Sequence, residues 1–175
     1  MKVAIAGYGD LTRYICEEFI QAGHELVILT RSFKPQIESP GISQAITDYT
    51  ISSLKAPLAD CEVLISTIGD MSNAYTNVHH TLIQACQESP KCKRFIPAEF
   101  AVNIETYPDE PGFYYAIHEP VRETLRNQTN LEWTLACAIP QDKAKAHKEK
   151  FFPHIHFRDL QEGLSQFDEK PDSIM

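Results

Sequence analysis

Short apolar runs alternate with segments of helical periodicity over most of the chain, and this alternation constrains the fold more than any other feature. The apolar runs contain few polar residues, which is typical of strands that are covered on both faces. Strands that alternate with helices predict a parallel sheet with right-handed crossovers, that is, a doubly wound α/β fold. The predicted strands are 3–7, 26–30, 44–46, 63–67, 94–96 and 133–137, and the predicted helices are 10–22, 51–58, 72–88 and 114–128.

The first predicted strand leads into a turn with two glycines, and the first helix follows. Gly7 and Gly9 let the backbone approach a ligand closely, and the free N–H groups of a helix N-terminus attract anions. A dinucleotide-binding unit of the Rossmann type begins in this way. Thr12 stands where the full motif has a small residue, so a glycine turn without a ligand is the alternative. The predicted cofactor-binding residues of the turn are Gly7, Tyr8, Gly9, Asp10, Leu11 and Thr12.

The residues after the second predicted strand indicate which dinucleotide would bind. An acidic side chain at this place would bond the ribose 2′-hydroxyl of NAD. The chain has Arg31 there, with Lys34 close behind, and a guanidinium suits a 2′-phosphate in charge and geometry. We therefore predict NADP(H) as the cofactor, with Arg31 and Lys34 at its 2′-phosphate. The alternative is a solvated arginine that follows a strand.

Three more candidate residues follow later strands. Ligands of open parallel sheets lie beyond the carboxyl ends of the strands. Ser66 and Thr67 end the fourth predicted strand and Pro97 follows the fifth, so we expect all three to border the cofactor. Ordinary strand ends are the alternative interpretation.

Charge and cysteine content argue against several classes of function. The 175-residue chain has a formal net charge of −8, which opposes binding to nucleic acid or to an anionic membrane surface. No apolar stretch approaches the roughly 20 residues that span a bilayer. The 5 cysteines form no C-x-x-C pair, which favours reduced thiols in a cytoplasmic protein. The histidines lack metal-ligand spacing, so we predict no metal site.

The segment 93–100, Lys-Arg-Phe-Ile-Pro-Ala-Glu-Phe, resembles the R-F-I/L-P-S-E-F/Y-G segment of the NmrA-like and isoflavone-reductase-like proteins. The glycine turn, Arg31 and the later strand end follow in the family's order, so the resemblance covers about residues 2–137. These proteins are atypical short-chain dehydrogenase relatives that bind NADPH. The chain looks most like fungal members, several of which belong to secondary-metabolite gene clusters. The resemblance implies an NADPH-dependent oxidoreductase that acts on a small organic metabolite in such a pathway.

The chain departs from the family at positions that bear on catalysis. Ala98 and Ala101 stand where the family has serine and glycine. Family reductases carry a lysine on the next helix that assists proton transfer, and His118 falls at about that place. Histidine donates a proton near neutral pH, so His118 is the candidate catalytic residue, with a histidine on a partly exposed helix face as the alternative. Tyr114 and Tyr115 are candidate phenolic donors or packing groups.

The sequence changes in character after Pro140 and no longer resembles the family. We predict an NAD(P)-binding domain over 1–140 and a divergent, charged, partly disordered tail over 141–175. Family members are considerably longer, so the chain looks C-terminally truncated, with most of the substrate-binding region missing. Three functional hypotheses follow: an oxidoreductase with a small-molecule substrate, a non-catalytic NADP-binding regulator with a protein partner, and a vestigial truncated product.

Overall fold

The computed structural model describes residues 1–101, 104–105, 108–109 and 112–136. Within this part of the chain, six strands form a sheet in which every neighbouring pair is parallel. The order across the sheet is β3-β2-β1-β4-β5-β6, and the predicted doubly wound fold is confirmed. The strands are β1 (Lys2–Ala6), β2 (Glu25–Thr30), β3 (Ile42–Ile46), β4 (Val63–Ser66), β5 (Arg94–Ile96) and β6 (Glu132–Trp133).

Helices connect the strands, and hydroxyl side chains mark where two of the helices begin. Thr50 Oγ1 accepts a hydrogen bond from the Ser53 N–H at 3.3 Å, and Ser72 Oγ accepts one from the Ala74 N–H at 3.2 Å. Each bond satisfies an N–H group that has no partner within its helix. The helices are α1 (Asp10–Gln21), α2 (Ile51–Leu58), α3 (Asn73–Glu88) and α4 (Gly112–Arg126), with a 3₁₀ turn at Pro35–Ile37.

Both faces of the sheet are covered because successive residues of a strand point to opposite sides. Val3 of β1 packs in a cluster with Ile15 and Phe19 of α1. Its neighbour Ala4 packs in a second cluster, to which α2, α3 and α4 contribute apolar side chains. Among the described elements, α1 therefore lies on one face and α2, α3 and α4 lie on the other.

The winding of the chain reverses between the two central strands, β1 and β4. β1 leads into α1 on one face of the sheet, whereas β4 leads into α3 on the other. Such a reversal leaves a crevice beyond the carboxyl ends of the two strands, where open α/β sheets bind their ligands. The glycine turn after β1 and the loop after β4 meet at this crevice.

Residues 137–175 lie outside the described residues. The predicted domain boundary at residue 140 and the predicted disorder of the tail therefore stay predictions. In the part of the chain that the structure describes, no helix is long and apolar enough to cross a membrane.

Candidate functional site

Gly7 directly follows β1 and has a backbone conformation that disfavours any other residue. Its φ is +101°, and a Cβ at this place would lie 2.8 Å from Thr67 Oγ1. Its N–H donates to the Leu29 carbonyl oxygen at 3.1 Å, which fixes the start of the turn on the end of β2. The turn therefore packs against the loop after β4 with no room for a side chain.

Gly9 lies at the start of α1 and faces open space. Its backbone is extended (φ −144°, ψ −164°), and a Cβ here would have no atom within 4 Å. Gly9 has no side chain that could cap the helix, so the first N–H groups of α1 are placed to bind an anion. The Asp10 carboxylate pairs with Arg13, which weakens its repulsion of such an anion. Tyr8 and Leu11 pack partly buried against the core on the α1 side.

Thr12 is fully buried beneath the turn. Its hydroxyl oxygen lies 2.8 Å from Thr67 Oγ1 and 3.4 Å from both the Gly7 carbonyl oxygen and the Gly9 nitrogen. These contacts join α1 to the end of β4 and support the turn from below. The threonine that departs from the glycine motif is thus a structural anchor of the turn.

Arg31 and Lys34 follow β2 at the same end of the sheet. Arg31 is exposed, and its Cζ lies 5.7 Å from the ring centroid of Tyr49. The Gln44 side chain of β3 fixes the path of this loop, because it bonds the backbone N–H of Lys34 at 2.9 Å and its carbonyl at 3.3 Å. Two cationic side chains therefore stand on an anchored loop, which suits an anionic ligand.

The ends of β4 and β5 supply the remaining predicted residues. Both the N–H and the hydroxyl of Thr67 donate to the Ala6 carbonyl oxygen, at 2.8 and 3.1 Å. These bonds lock the end of β1 to the end of β4. Ser66 and Pro97 are buried, so they support the crevice from the protein interior. Thr67 is the residue of this set that contacts the glycine turn.

A buried ion cluster lies two residues beyond Pro97. Glu99 is fully buried, with Oε1 at 3.0 Å from His118 Nδ1 and Oε2 at 2.8 Å from Arg122 Nη2. Burial alone would raise the pKa of Glu99, but hydrogen bonds and charge from His118 and Arg122 outweigh it and lower that pKa. Glu99 is therefore held ionised, and it ties α4 to the loop after β5.

The imidazole of His118 is enclosed by two tyrosine rings. The ring centroids of Tyr75 and Tyr114 lie 3.9 and 3.8 Å from its own, and the residue is 2% exposed. The interpretation of His118 as a histidine on a partly exposed face is therefore wrong. Because Nδ1 donates to the Glu99 carboxylate, Nε2 is the nitrogen left to exchange a proton with another group.

His79 is a second buried imidazole beside the first. It stacks on Tyr75 with the ring centroids 3.9 Å apart, its Nδ1–H donates to the Tyr75 carbonyl at 2.8 Å, and its Nε2 accepts the Ala98 N–H at 3.4 Å. Each nitrogen of the neutral ring thus has a hydrogen-bond partner, and burial lowers the pKa of His79 to about 4. We call this set of side chains the buried polar cluster: Tyr75, His79, Glu99, Tyr114, His118 and Arg122.

Sequence reasoning found His118 and missed the ionic partners that hold it. Glu99 was recognised only as part of the segment 93–100 that resembles the family, and no role was predicted for it. Arg122 lies four residues after His118, a spacing that places both side chains on one helix face, and this spacing was the available signal. Among the described residues, no group of three potential metal ligands comes together.

Comparison with known proteins gives three informative relatives, although no family model matches the chain. The chain is 55% identical to oxidoreductase swnR of Arthroderma benhamiae over 305 positions, which cover all of both proteins. It is 79% identical to oxidoreductase swnR of Metarhizium robertsii over 137 residues, 78% of this chain and 45% of that protein. It is 28% identical to phenylcoumaran benzylic ether reductase 1 of Arabidopsis thaliana over 133 residues, 69% of this chain and 42% of that protein.

The chain is shorter than these relatives, as the sequence predicts. It spans about half the length of the Metarhizium and Arabidopsis proteins. Its 175 residues align over 305 positions with the Arthroderma protein, which leaves about 130 positions of that alignment without a residue of this chain.

Solved structures share the fold. AtPrR2, solved with NADP+ and (+)pinoresinol, superposes with a TM-score of 0.67 at 19% identity, over 87% of this chain and 55% of that one. A ternary complex of leucoanthocyanidin reductase from Vitis vinifera superposes with a TM-score of 0.60 at 19% identity, over 78% of this chain and 46% of that one.

Proposed function

Since the chain belongs to the NmrA-like, isoflavone-reductase-like family, whose members it matches in sequence, we propose that it is an NADPH-dependent oxidoreductase. Its substrate is a small organic molecule, and a secondary-metabolite pathway in the cytoplasm is the proposed setting. The observation that carries the proposal is the packing of Gly7 on Thr67, because it builds a glycine turn at the reversal of the sheet.

The described residues fit a dinucleotide at this crevice. The open space at Gly9 leaves the N-terminus of α1 accessible to a pyrophosphate. Arg31 and Lys34, at the end of the adjacent strand, supply positive charge for a 2′-phosphate. AtPrR2 was solved with NADP+, and a structure of leucoanthocyanidin reductase was solved with NADPH. This agreement supports NADP(H) as the cofactor.

NADPH, when bound, supplies the hydride of the reaction. The protein's part is to bind and orient the cofactor. The glycine turn would hold the pyrophosphate, and Arg31 and Lys34 would bind the 2′-phosphate. Thr67 would form the wall of the crevice beside the turn. Ser66 and Pro97 support that wall from below. No acidic side chain directly follows β2 to favour the 2′-hydroxyl of NAD, which supports a preference for NADPH.

His118 is the proposed proton donor. In its charged form the ring would carry a proton on each nitrogen, and loss of the proton on Nε2 would leave Nδ1–H bonded to Glu99. Glu99 is then a positioning residue that orients the imidazole through its bond to Nδ1. Because both ring faces are covered by tyrosines, a substrate must approach along the edge that carries Nε2.

Isothermal titration with NADPH and NADH tests the cofactor site directly. We expect NADPH to bind more tightly than NADH, and Arg31→Ala to weaken NADPH without a matching loss for NADH. Glu38→Ala, which changes an exposed residue beyond the loop, serves as the control and should alter neither affinity. A wild-type protein that binds neither nucleotide would contradict the proposal.

A non-catalytic NADP-binding regulator is the second candidate function, and the enclosure of His118 favours it. A donor that is 2% exposed between two tyrosine rings is poorly placed to meet a substrate. NADPH consumption with a panel of carbonyl and ene substrates separates the two functions. Turnover that His118→Gln abolishes supports the oxidoreductase, whereas NADPH binding with no turnover supports the regulator.

A further inference from the structure

Tyr49 adopts an unusual backbone conformation in the loop between β3 and α2. Its φ is +62°, a positive value that no other described residue except glycine adopts. An aromatic residue in this region is strained, and such strain persists only where surrounding contacts hold it, often at binding sites. Tyr49 is buried, and its N–H donates to Thr47 Oγ1 at 2.9 Å. The fold thus holds the Tyr49 side chain in one place.

The hydroxyl of Tyr49 supports the glycine turn indirectly. It donates to the Leu29 carbonyl oxygen at 2.8 Å, and the same oxygen accepts the Gly7 N–H at 3.1 Å. Burial raises the pKa of Tyr49, so its hydroxyl keeps the proton that it donates. One carbonyl oxygen therefore joins the Tyr49 side chain to the first residue of the turn.

The ring of Tyr49 contacts the other half of the proposed site. Arg31 Cζ lies 5.7 Å from the ring centroid, within the range of a cation–π contact. A cation–π contact uses none of the hydrogen-bonding capacity of a guanidinium, so its N–H groups stay available for an anion. The side chain of Tyr49 thus reaches both the turn and the guanidinium.

We propose that Tyr49 is a positioning residue for cofactor selection, which orients Arg31 towards the 2′-phosphate of NADPH and steadies the glycine turn through the Leu29 carbonyl. This inference rests on the proposed function, because it assumes that the crevice binds a dinucleotide. The effect of Tyr49 on selectivity passes through Arg31, and its effect on overall affinity passes through Gly7.

Two variants of Tyr49 separate these effects in the full chain. Tyr49→Asn removes the ring, and asparagine tolerates the left-handed conformation. Tyr49→Phe keeps the ring and removes the hydroxyl. Isothermal titration with NADPH and NADH is expected to show that Tyr49→Asn lowers the NADPH-to-NADH affinity ratio by about two- to fivefold. Tyr49→Phe should keep that ratio and weaken both nucleotides alike.

The Arg31→Ala background shows whether Tyr49 acts through Arg31. There, Tyr49→Asn should cause no further fall in the affinity ratio. An unchanged ratio in Tyr49→Asn, or an equal fall with and without Arg31, would overturn the inference. If Tyr49→Asn does not fold, Tyr49→Phe decides alone: weaker binding of both nucleotides supports the inference, and no change in either overturns it. Failure of the wild type to bind any dinucleotide overturns the proposed function instead.

Discussion

Two glycines in the same turn have opposite surroundings, and the difference yields a test at the scale of single residues. A Cβ on Gly7 would meet Thr67 Oγ1 at 2.8 Å in a left-handed conformation, whereas a Cβ on Gly9 would meet no atom within 4 Å. Gly7→Ala should therefore destabilise the fold by about 1–3 kcal/mol. Gly9→Ala should leave stability nearly unchanged and weaken NADPH binding, since its methyl group enters the space that the proposed pyrophosphate would occupy.

Urea unfolding and NADPH titration of both variants check this contrast. Gly69→Ala is a matched control for stability, because a Cβ there also meets nothing within 4 Å. Glu38→Ala, at an exposed position beyond the loop after β2, is the control for NADPH affinity. A Gly9→Ala protein that keeps full affinity for NADPH would show that the pyrophosphate does not pass over this residue.

At the scale of elements, the contact between Glu99 and Arg122 fastens α4 to the loop after β5. Both side chains are fully buried. Glu99→Gln keeps the shape and removes the charge, which leaves Arg122 buried beside a neutral amide. We expect this change to lower the free energy of unfolding by about 3–5 kcal/mol.

Glu105 offers the matched comparison, because it faces the same guanidinium at 3.6 Å but is 59% exposed. Glu105→Gln should cost less than about 1 kcal/mol, since exposed ion pairs contribute little. Urea unfolding of both variants measures the difference. Equal losses would mean that Glu99 does not hold α4 in the way described.

The helices and strands could be predicted from the sequence, whereas the contact between Glu99 and Arg122 could not. Apolar runs place β1 at 3–7 where the structure has Lys2–Ala6, and the helical pattern gives α2 as 51–58, where the structure has Ile51–Leu58. Local periodicity determines such bounds. The contact of Glu99 with Arg122 joins residues 23 positions apart in different elements, so it depends on how α4 docks. The structural use of Thr12 likewise depends on Thr67, 55 positions away.

At the scale of the whole molecule, the buried His79 makes stability depend on pH. Burial lowers its pKa to about 4 in the folded protein, whereas an unfolded histidine titrates near about 6.5. Between these values only the unfolded chain takes up the proton, so stability is full above about pH 6.5 and falls as the pH drops towards 4. The loss attributable to this residue is at most about 3 kcal/mol.

Urea unfolding at pH 7.5, 6 and 5 measures this slope. His79→Gln should flatten this dependence of stability on pH, whereas Gln84→Ala, at an exposed position on the same helix that does not titrate, should keep it. Glu99 acts in a separate range: because its pKa is lowered, the stability it contributes is present above about pH 4.3 and is lost only below that value. If the free energy of unfolding changed with pH equally in the wild type and in His79→Gln, the pH dependence would belong to other groups.

The pairing of β1 with β4 has a consequence for how the protein folds. This pairing places Val3 opposite Val63, so a long segment of chain must close before the two central strands meet, and such non-local steps are slow. Gly7 reaches Thr67 only after that step, so the crevice forms late in folding. A ligand of the crevice would then slow unfolding without speeding folding. With the proposed nucleotide in the crevice, the persistence of the folded chain in a cell would follow the supply of that nucleotide.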